Sequence, residues 1–565
     1  MLLLHDSRQH QSRYSHYLGA LLRIEGLTAL TEVELADLSP AMLHGVDLIV
    51  LPRMALTPAH VDIILAAVAT GSRLLCVMPP PQLTGVLGFR SHHRVVPHGA
   101  VTVDAQLLPH LPAAITLDLL TPALCWEMPA QASCWGHVGT QPALVHLCHG
   151  AGQVLCLSFD MAATVARLRH GDPALVDCHT AGLDGIYRPS ELFVHQLDPH
   201  RAHLPQADIY TALLALLVHR LAPQPRLWYY PVATQQSTML MTSDDDWSSV
   251  AEFECLIAAL AEHQATCTFY LVPQSRVQPA DVARWQAAGH DVGVHPALAS
   301  DIVVGLDTSV AQPHVVADML RDNVTRHTQQ YGAHVHSIRQ HAVRWLGYVD
   351  AARILAELGV RMECNYLAVS PYLGYLCGSG RPAPFVAEDG QLIDCWQQPT
   401  LWTEECLIHP EYVFSFKWNV AQAVAVTDTL IAEAATRYYT PVTINSHPVS
   451  FASYSRPLIE ANWRAAQRHQ MPIQALASWL EWTQMRYAMQ LRPQADGTWY
   501  LYTPVAVATC TVLVPRTLTP AHPATPVERW GERWWAVQCH ALEAGLHLIA
   551  TTIRRKRRAV EFPVQ

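Results

Sequence analysis

No apolar run in this chain reaches the roughly 20 residues that a membrane-spanning helix needs. Even Leu213 to Val218 is cut by His219-Arg220. The opening Met1-Leu2-Leu3-Leu4-His5-Asp6 is too short for a signal-peptide core. A cytoplasmic protein with no membrane partner is therefore the expectation. The 14 cysteines contain no C-x-x-C pair, which excludes the common cysteine-zinc and small disulfide scaffolds. Cys76, Cys156, Cys267 and Cys364 fall inside apolar strand-like runs and read as reduced core thiols. Positive charge is in deficit, with 37 Lys and Arg against 47 Asp and Glu. The resulting net charge of −10 argues against a general nucleic-acid binder. The single basic run, Arg554 to Arg558, reads as the solvated end of a strand begun at Leu546 to Ile553, with a localisation or anion-binding patch as the alternative.

What is present is a globular composition, 50% hydrophobic and 15% charged. A length of 565 residues predicts three or four domains. The 32 histidines weaken the claim of any one of them to a function.

The pattern divides the chain at residues 1–225, 226–486 and 487–565. The first region alternates apolar strands (Leu2 to Leu4, Leu48 to Leu51, Arg73 to Met78) with helical spacing over 12–25 and 58–70, which predicts a parallel sheet covered by helices. Leu221-Ala222-Pro223-Gln224-Pro225 marks its end. The second region repeats strand and helix from Ser237 to Arg468, and Gly289, Gly332 and Gly359 stand where helices should close. A (β/α) barrel follows, made irregular by the long segment from Asn365 to Trp418. Beyond Gln490 helical periodicity disappears. Thr498 to Tyr502, Val505 to Val514 and Trp534 to Cys539 predict a small antiparallel β domain. Its Trp530, Trp534 and Trp535 read as core or interdomain residues, with sugar stacking as the alternative.

The most informative stretch is Thr242-Ser243-Asp244-Asp245-Asp246-Trp247. It follows a strand and precedes Ser249-x-x-Glu252, a capping box that opens a helix. Carboxylates at that place in an α/β barrel sit where chemistry is done. One aspartate would be enough to cap the helix. Three in a row repel one another, a cost that points to a cation or a reaction.

Three further motifs follow in order: Gly289-His290-Asp291-Val292-Gly293-Val294-His295, Arg339-Gln340-His341 and Asn445-Ser446-His447-Pro448. Together with Thr242-Ser243-Asp244-Asp245 they resemble the NodB-type polysaccharide deacetylases, carbohydrate esterase family 4, over about Leu240 to Met485. The resemblance implies a metal-dependent hydrolase acting on an N-acetylated sugar. It implies Asp244 as general base, Asp245 and His295 as metal ligands, Arg339 as the partner of Asp244, and His447 as general acid. These roles suit the residue types. A guanidinium favours the charged form of a neighbouring carboxylate, and a protonated imidazole can release an amine. A divalent metal is the expected cofactor. Zinc comes first, and the ligand types also admit cobalt, nickel and manganese.

The family's second ligand histidine has no counterpart, because Ala299 stands at its place. His341 is the best substitute and His314 a weaker one. His341 reads equally well as a hydrogen-bonded pocket histidine. Trp345, Trp396 and Arg344 are candidates for contact with the substrate, and Trp402 for the cleft wall, although each tryptophan also reads as core. The first region resembles the flavodoxin-like fold of class I glutamine amidotransferase-like domains. Cys76, followed by Val77-Met78-Pro79-Pro80, lacks the Gly-flanked turn of a nucleophile, so this domain reads as non-catalytic. Packing, homo-oligomerisation and shaping of the cleft are its open uses. Three functions compete: an N-deacetylase with a carbohydrate substrate, a hydrolase of another non-peptide C–N bond, and a non-catalytic carbohydrate-binding or assembly protein that has lost part of the metal site.

Overall fold

The computed structural model describes residues 1–111, 115–176, 185–194, 196–304, 306–309 and 311–552. The basic run Arg554 to Arg558 lies outside them.

Five strands of the first region, Leu2–His5, Thr31–Glu34, Leu48–Leu51, Arg73–Val77 and Gly152–Leu157, are parallel. In space they run second, first, third, fourth, fifth, the order of one doubly wound α/β arrangement. Their apolar runs are buried because helices such as Ser15–Ile24 and Pro58–Ala69 cover the sheet. The sequence reading did not place the antiparallel half that follows. Gln141–His149, Ser133–Val138, Gly99–Val103 and Thr116–Leu119 extend the same sheet beyond Gly152–Leu157. Cys76 is fully buried and pairs in register with Cys156. Met78, at φ +44°, occupies the turn after the Cys76 strand.

The central region is a mixed sheet. Its path is Ala383–Val386, Leu392–Gln397, Met362–Glu363, Ser337–Ile338, Asp291–Val294, Thr268–Leu271, Met239–Asp244, Val442–Asn445 and Trp402–Thr403. Every pairing is parallel except the first. The path does not close on itself among the described residues, so this is a half-barrel with two edges. Phe253, Leu256 and Leu260 on the helix Val250–Glu262 pack against Met239, Met241 and Phe269 of the strands.

Seven strands of the third region, with one strand from the start of the second, form two four-stranded antiparallel sheets. Arg226–Leu227, just after the proline-rich connector, pairs with Val507–Pro515 of one of them. Trp530 and Trp534 are buried in a core that also holds Trp228, Leu217 and Leu480, so side chains from all three regions share one interior. Trp535 is half-buried under Arg516, whose guanidinium stands 3.5 Å from its ring centre.

Candidate active site

Strand register brings the motifs together. Thr242 pairs with Asn445, so Asp244 and His447 each lie two residues beyond the same rung. Val294 pairs with Ile338, so His295 and Arg339 are the next residues on neighbouring strands. All four leave the C-terminal edge of the sheet, where a parallel arrangement gathers residues distant in sequence.

Asp244 is held from both sides. Arg339 Nη1 donates to its Oδ1 at 3.0 Å, and Asn445 Nδ2 donates to its Oδ2 at 3.0 Å. Arg339 is itself fixed by Thr242 Oγ1, Asn445 Oδ1, Thr400 Oγ1 and the Cys364 carbonyl. Its guanidinium is buried but cannot rotate away from Asp244 without losing those bonds.

Asp246 is the aspartate that faces the histidines. Its Oδ1 lies 3.2 Å from His295 Nε2, and its Oδ2 lies 3.5 Å from His447 Nε2. The other nitrogen of each ring is already committed. His295 Nδ1 meets the Arg339 carbonyl at 2.7 Å and His447 Nδ1 meets Glu404 Oε1 at 2.8 Å. A carbonyl and a carboxylate can only accept, so both Nδ1 atoms carry the proton. In the neutral rings both Nε2 lone pairs then point toward carboxylate oxygens. Acceptor facing acceptor is repulsive until a proton or a metal cation lies between them. Asp246 Oδ1 is accordingly buried without a hydrogen-bond donor. Burial alone would raise the Asp246 carboxyl and lower His295. The fields of His447, His295 and His341 hold Asp246 well below the usual carboxylate range, and Asp244 and Asp246 raise His295. A carboxylate with imidazoles is a fitting donor set for a divalent cation.

His341 lies beside this pair. Its ring centre is 5.5 Å from that of His295 and 5.3 Å from that of Trp247. Its Nδ1 is 3.2 Å from Asp301 Oδ2, and its Nε2 has no hydrogen-bond partner among the described residues. The backbone here is strained. Asp246 and Trp247 take φ of +42° and +58°, and Ala342 and Val343 take +54° and +48°. Left-handed φ is uncommon outside glycine and a marked outlier for a β-branched residue such as Val343. Such outliers cluster at functional sites.

His447 has a second carboxylate, Glu405 Oε1, at 3.8 Å from its Nδ1. Burial by itself would lower this imidazole, yet Glu405, Glu404 and Asp246 raise it well above the ordinary histidine value. The Glu404 and Glu405 carboxylates and His447 are close enough together to share one cation. Thr403 caps the helix Glu404–Ile408 by accepting from Cys406 N, which fixes the start of the helix that carries both glutamates.

Other sequence candidates lie elsewhere. Asp245 turns back from the histidines: its Oδ2 accepts from Val272 N at 3.3 Å, and burial pushes its carboxyl up to about 7. Trp345 is buried among Tyr366 and Phe385 and donates to the Tyr348 carbonyl. Trp396 is buried in the core shared with the first region, edge-on to Tyr487. Trp402 is buried and donates to Asn462. The sequence left these tryptophans between cleft and core, and the structure buries all three. Arg344 meets Asp301, not open space. His314 is exposed at the start of the helix Pro313–Tyr331. Asp246 and Asn445 stood inside quoted motifs without a role, and Asp301 and Glu404 were not singled out from sequence. The aspartate run and the acidic pair after Thr403 were the available signals.

No protein-family model matches the chain, and no curated protein matches it in sequence. Among solved structures it is similar to the carbohydrate deacetylase Agd3 over 97% of this chain and 98% of that one, with 10% identity and a TM-score of 0.44. It is similar to a polysaccharide deacetylase from Bacillus cereus over 42% of this chain and 91% of that one, with 16% identity and a TM-score of 0.27. At these identities and TM-scores neither likeness establishes a shared activity. No helix among the described residues is long and apolar enough to cross a membrane.

Proposed function

We propose that this chain is a metal-dependent hydrolase that removes an acetyl group from an N-acetylated sugar or glycoconjugate. The observation behind this reading is the Asp246 carboxylate set between the Nε2 atoms of His295 and His447, with both Nδ1 atoms committed elsewhere. The substrate class comes from the resemblance of the ordered motifs to the NodB-type deacetylases.

Asp246 and His295, whose donor atoms lie 3.2 Å apart, would hold the divalent ion, zinc being the first expectation, and His341 stands outside ligand distance of the pair as a whole. Once bound it supplies Lewis acidity toward an amide carbonyl oxygen. The remaining work belongs to the chain. Asp244, oriented by Arg339 and Asn445, takes a proton from the attacking water. His447, held protonated by its glutamates, gives a proton to the departing nitrogen. The same groups would serve another non-peptide C–N bond. A carbohydrate-binding protein without a metal is favoured by one feature, Ala299 at the family's second histidine position.

The test is metal content measured beside acetate release. After chelation and reloading, the purified protein is expected to hold about one divalent ion per chain. It is also expected to release acetate from N-acetylglucosamine oligomers only when loaded. If no divalent ion is retained after loading, the enzyme reading falls and the binding reading replaces it.

A further inference from the structure

The first region holds a cavity of its own. The strand Leu2–His5 leads into the helix Ser15–Ile24, and Leu48–Leu51 into Pro58–Ala69. Tyr17 and Leu21 of the first helix pack with Leu3 and Val50, whereas Val61 and Ile64 of the second pack with Leu4 and Ile49. The two helices therefore cover opposite faces, and the strand order reverses between Leu2–His5 and Leu48–Leu51. Loops that part at such a point open a crevice at the carboxyl ends of the strands, where open α/β sheets bind ligands. A cavity of about 310 Å³ lies there. Gln11 follows the first strand, Arg53 and Met54 the third, and Met78 and Gln82 the fourth, and all five line it. Gln9 ties two of these loops together. Its Oε1 accepts from Ala55 N at 2.7 Å, and its Nε2 donates to Asp6 Oδ2 at 2.7 Å and to the Ala55 carbonyl at 3.2 Å.

We propose that this cavity binds a small organic monocarboxylate, with Arg53 gripping the carboxylate and Met54, Met78 and Phe89 receiving its apolar body. Arg53 is exposed and makes no hydrogen bond or ion pair among the described residues. Its field reaches the buried Asp160, but Asp160 Oδ1 is engaged in capping the helix Met161–His170 through Ala163 N at 3.0 Å. A guanidinium fork fits the two oxygens of a carboxylate or of a phosphate. No other charged side chain lines the cavity among the described residues, so one negative charge is matched and the near-double charge of a phosphate is not. The rest of the wall is apolar. Trp126 donates its Nε1 to the Pro142 carbonyl at 2.9 Å and leaves only its ring to the cavity. Met78 holds φ at +44°, a left-handed strain of the kind that collects at ligand sites. Ser158 stands against this wall: its carbonyl accepts from Leu124 N, and the Leu157 carbonyl from Met78 N, both at 2.8 Å. Leu157 and Phe159 pack in one core, so strand alternation turns Ser158 to the face of Met54, Phe89 and Trp126. The Ser158 hydroxyl is buried there with no partner among the described residues, and a carboxylate is the acceptor it lacks. The volume is at the small end of the roughly 300–1,000 Å³ of ligand sites.

The experiment is calorimetric titration of the full chain. Butyrate and benzoate are the probes, benzamide is the uncharged analogue of benzoate, and inorganic phosphate is the rival anion. Saturable binding of a carboxylate probe at one site per chain is expected, with benzamide and phosphate at least about 10-fold weaker. Arg53→Gln is expected to weaken the carboxylate by roughly 10- to 100-fold, as loss of a charged hydrogen-bond partner does. Ser158→Ala should give a smaller loss. Ala55→Trp, which fills the cavity from its rim, should abolish binding by a second route and carries the test if Arg53→Gln does not fold. Three results overturn the inference: no saturable binding of either probe, benzamide or phosphate bound as tightly as benzoate, or wild-type affinity in both Arg53→Gln and Ala55→Trp. If Asp246→Ala loses the carboxylate and Arg53→Gln retains it, the anion sits at the candidate active site, and the inference falls while the metal reading stands.

Discussion

Two polar clusters lie buried in this protein, and they are built in opposite senses. Where the first region meets the half-barrel, two carboxylates, Glu25 and Asp208, face four guanidiniums, Arg169, Arg226, Arg381 and Arg486. Glu25 accepts from Arg226 at 2.7 Å, from Tyr229 at 2.5 Å, and from Arg381. The spare guanidinium hydrogens go to carbonyls such as those of Ile24, Leu227 and Trp228. What this cluster leaves over are donors: the Nε atoms of Arg169, Arg226 and Arg381. At the sheet's C-terminal edge the balance is reversed. Asp244, Asp245, Asp246, Asp301, Glu404 and Glu405 meet two arginines, Arg339 and Arg344. The unmatched atoms there are mostly acceptors, Asp245 Oδ1, Asp246 Oδ1 and Glu404 Oε2, against one unmatched donor on these side chains, Arg344 Nε. Surplus donors can be absorbed by main-chain oxygens, which are plentiful. Surplus acceptors that face imidazole nitrogens call for positive charge, supplied by a proton on the ring or by a bound cation. The first cluster joins the first region to the half-barrel, and under the proposed function the second would take up a cation.

The largest effect should come from the residue at which the acceptor surplus is concentrated. Asp246→Ala is expected to abolish stoichiometric metal binding and lower acetate release by at least about 10³-fold, within the range spanned by loss of acid–base or metal assistance. Asp245→Ala, one residue away, should keep the metal. Metal analysis of the two purified variants decides between them. The reverse pattern would return the ligand role to Asp245 and remove the contrast between the two aspartates.

The domain-fastening cluster should respond in stability alone. Glu25 is fully buried. Burial by itself would raise its carboxyl, but Arg381 and Arg226 outweigh that and hold it below the usual range. Glu25→Ala leaves both guanidiniums uncompensated and is expected to cost about 3–5 kcal/mol. The check is a shift of the denaturation midpoint with zinc affinity unaltered. Loss of zinc affinity in this variant would show that the two clusters are coupled.

Part of this contrast was legible in the sequence. Asp244, His295, Arg339 and His447 stand at the ends of buried apolar strands, and strand ends in a parallel sheet converge whatever the loops do. The choice of Asp246 over Asp245 was not legible. It depends on the left-handed φ at Asp246 and Trp247, a conformation that no glycine announces there. Asp301 and Glu404 were hidden because each reaches its histidine from the first turn of a short helix, where an acidic residue is ordinary. The fold divides in the same way. Leu48–Leu51 is continuously apolar and reads as a parallel strand. Ser133–Val138, with cysteine, tryptophan, glycine and histidine and a mostly half-exposed face, gives no clear period, so the antiparallel half of its sheet could not be read.

The smallest expected effect sharpens the contrast by pH. Glu363 is as deeply buried as Glu25 but has no guanidinium bonded to it. Its Oε1 accepts from Asn365 N, and its Oε2 is without a partner. Burial therefore pushes its carboxyl up to about 8, against a lesser lowering by the Asn365 N–H and Arg339. The folded state thus holds a proton that the unfolded chain has released above its ordinary glutamate value. The penalty is absent below pH 4, grows as pH rises, and levels off above about pH 8. Between pH 6 and pH 8 it amounts to roughly 2–3 kcal/mol, at up to 1.36 kcal/mol for each pH unit. Glu363→Gln keeps an oxygen for Asn365 N and removes the titration. Its stability relative to wild type should therefore rise by that amount from pH 6 to pH 8, as read from denaturant midpoints at each pH. A difference that stays flat with pH would mean that Glu363 is ionised throughout. The half-barrel would then hold a compensating charge beside Glu363, as the Glu25 cluster does.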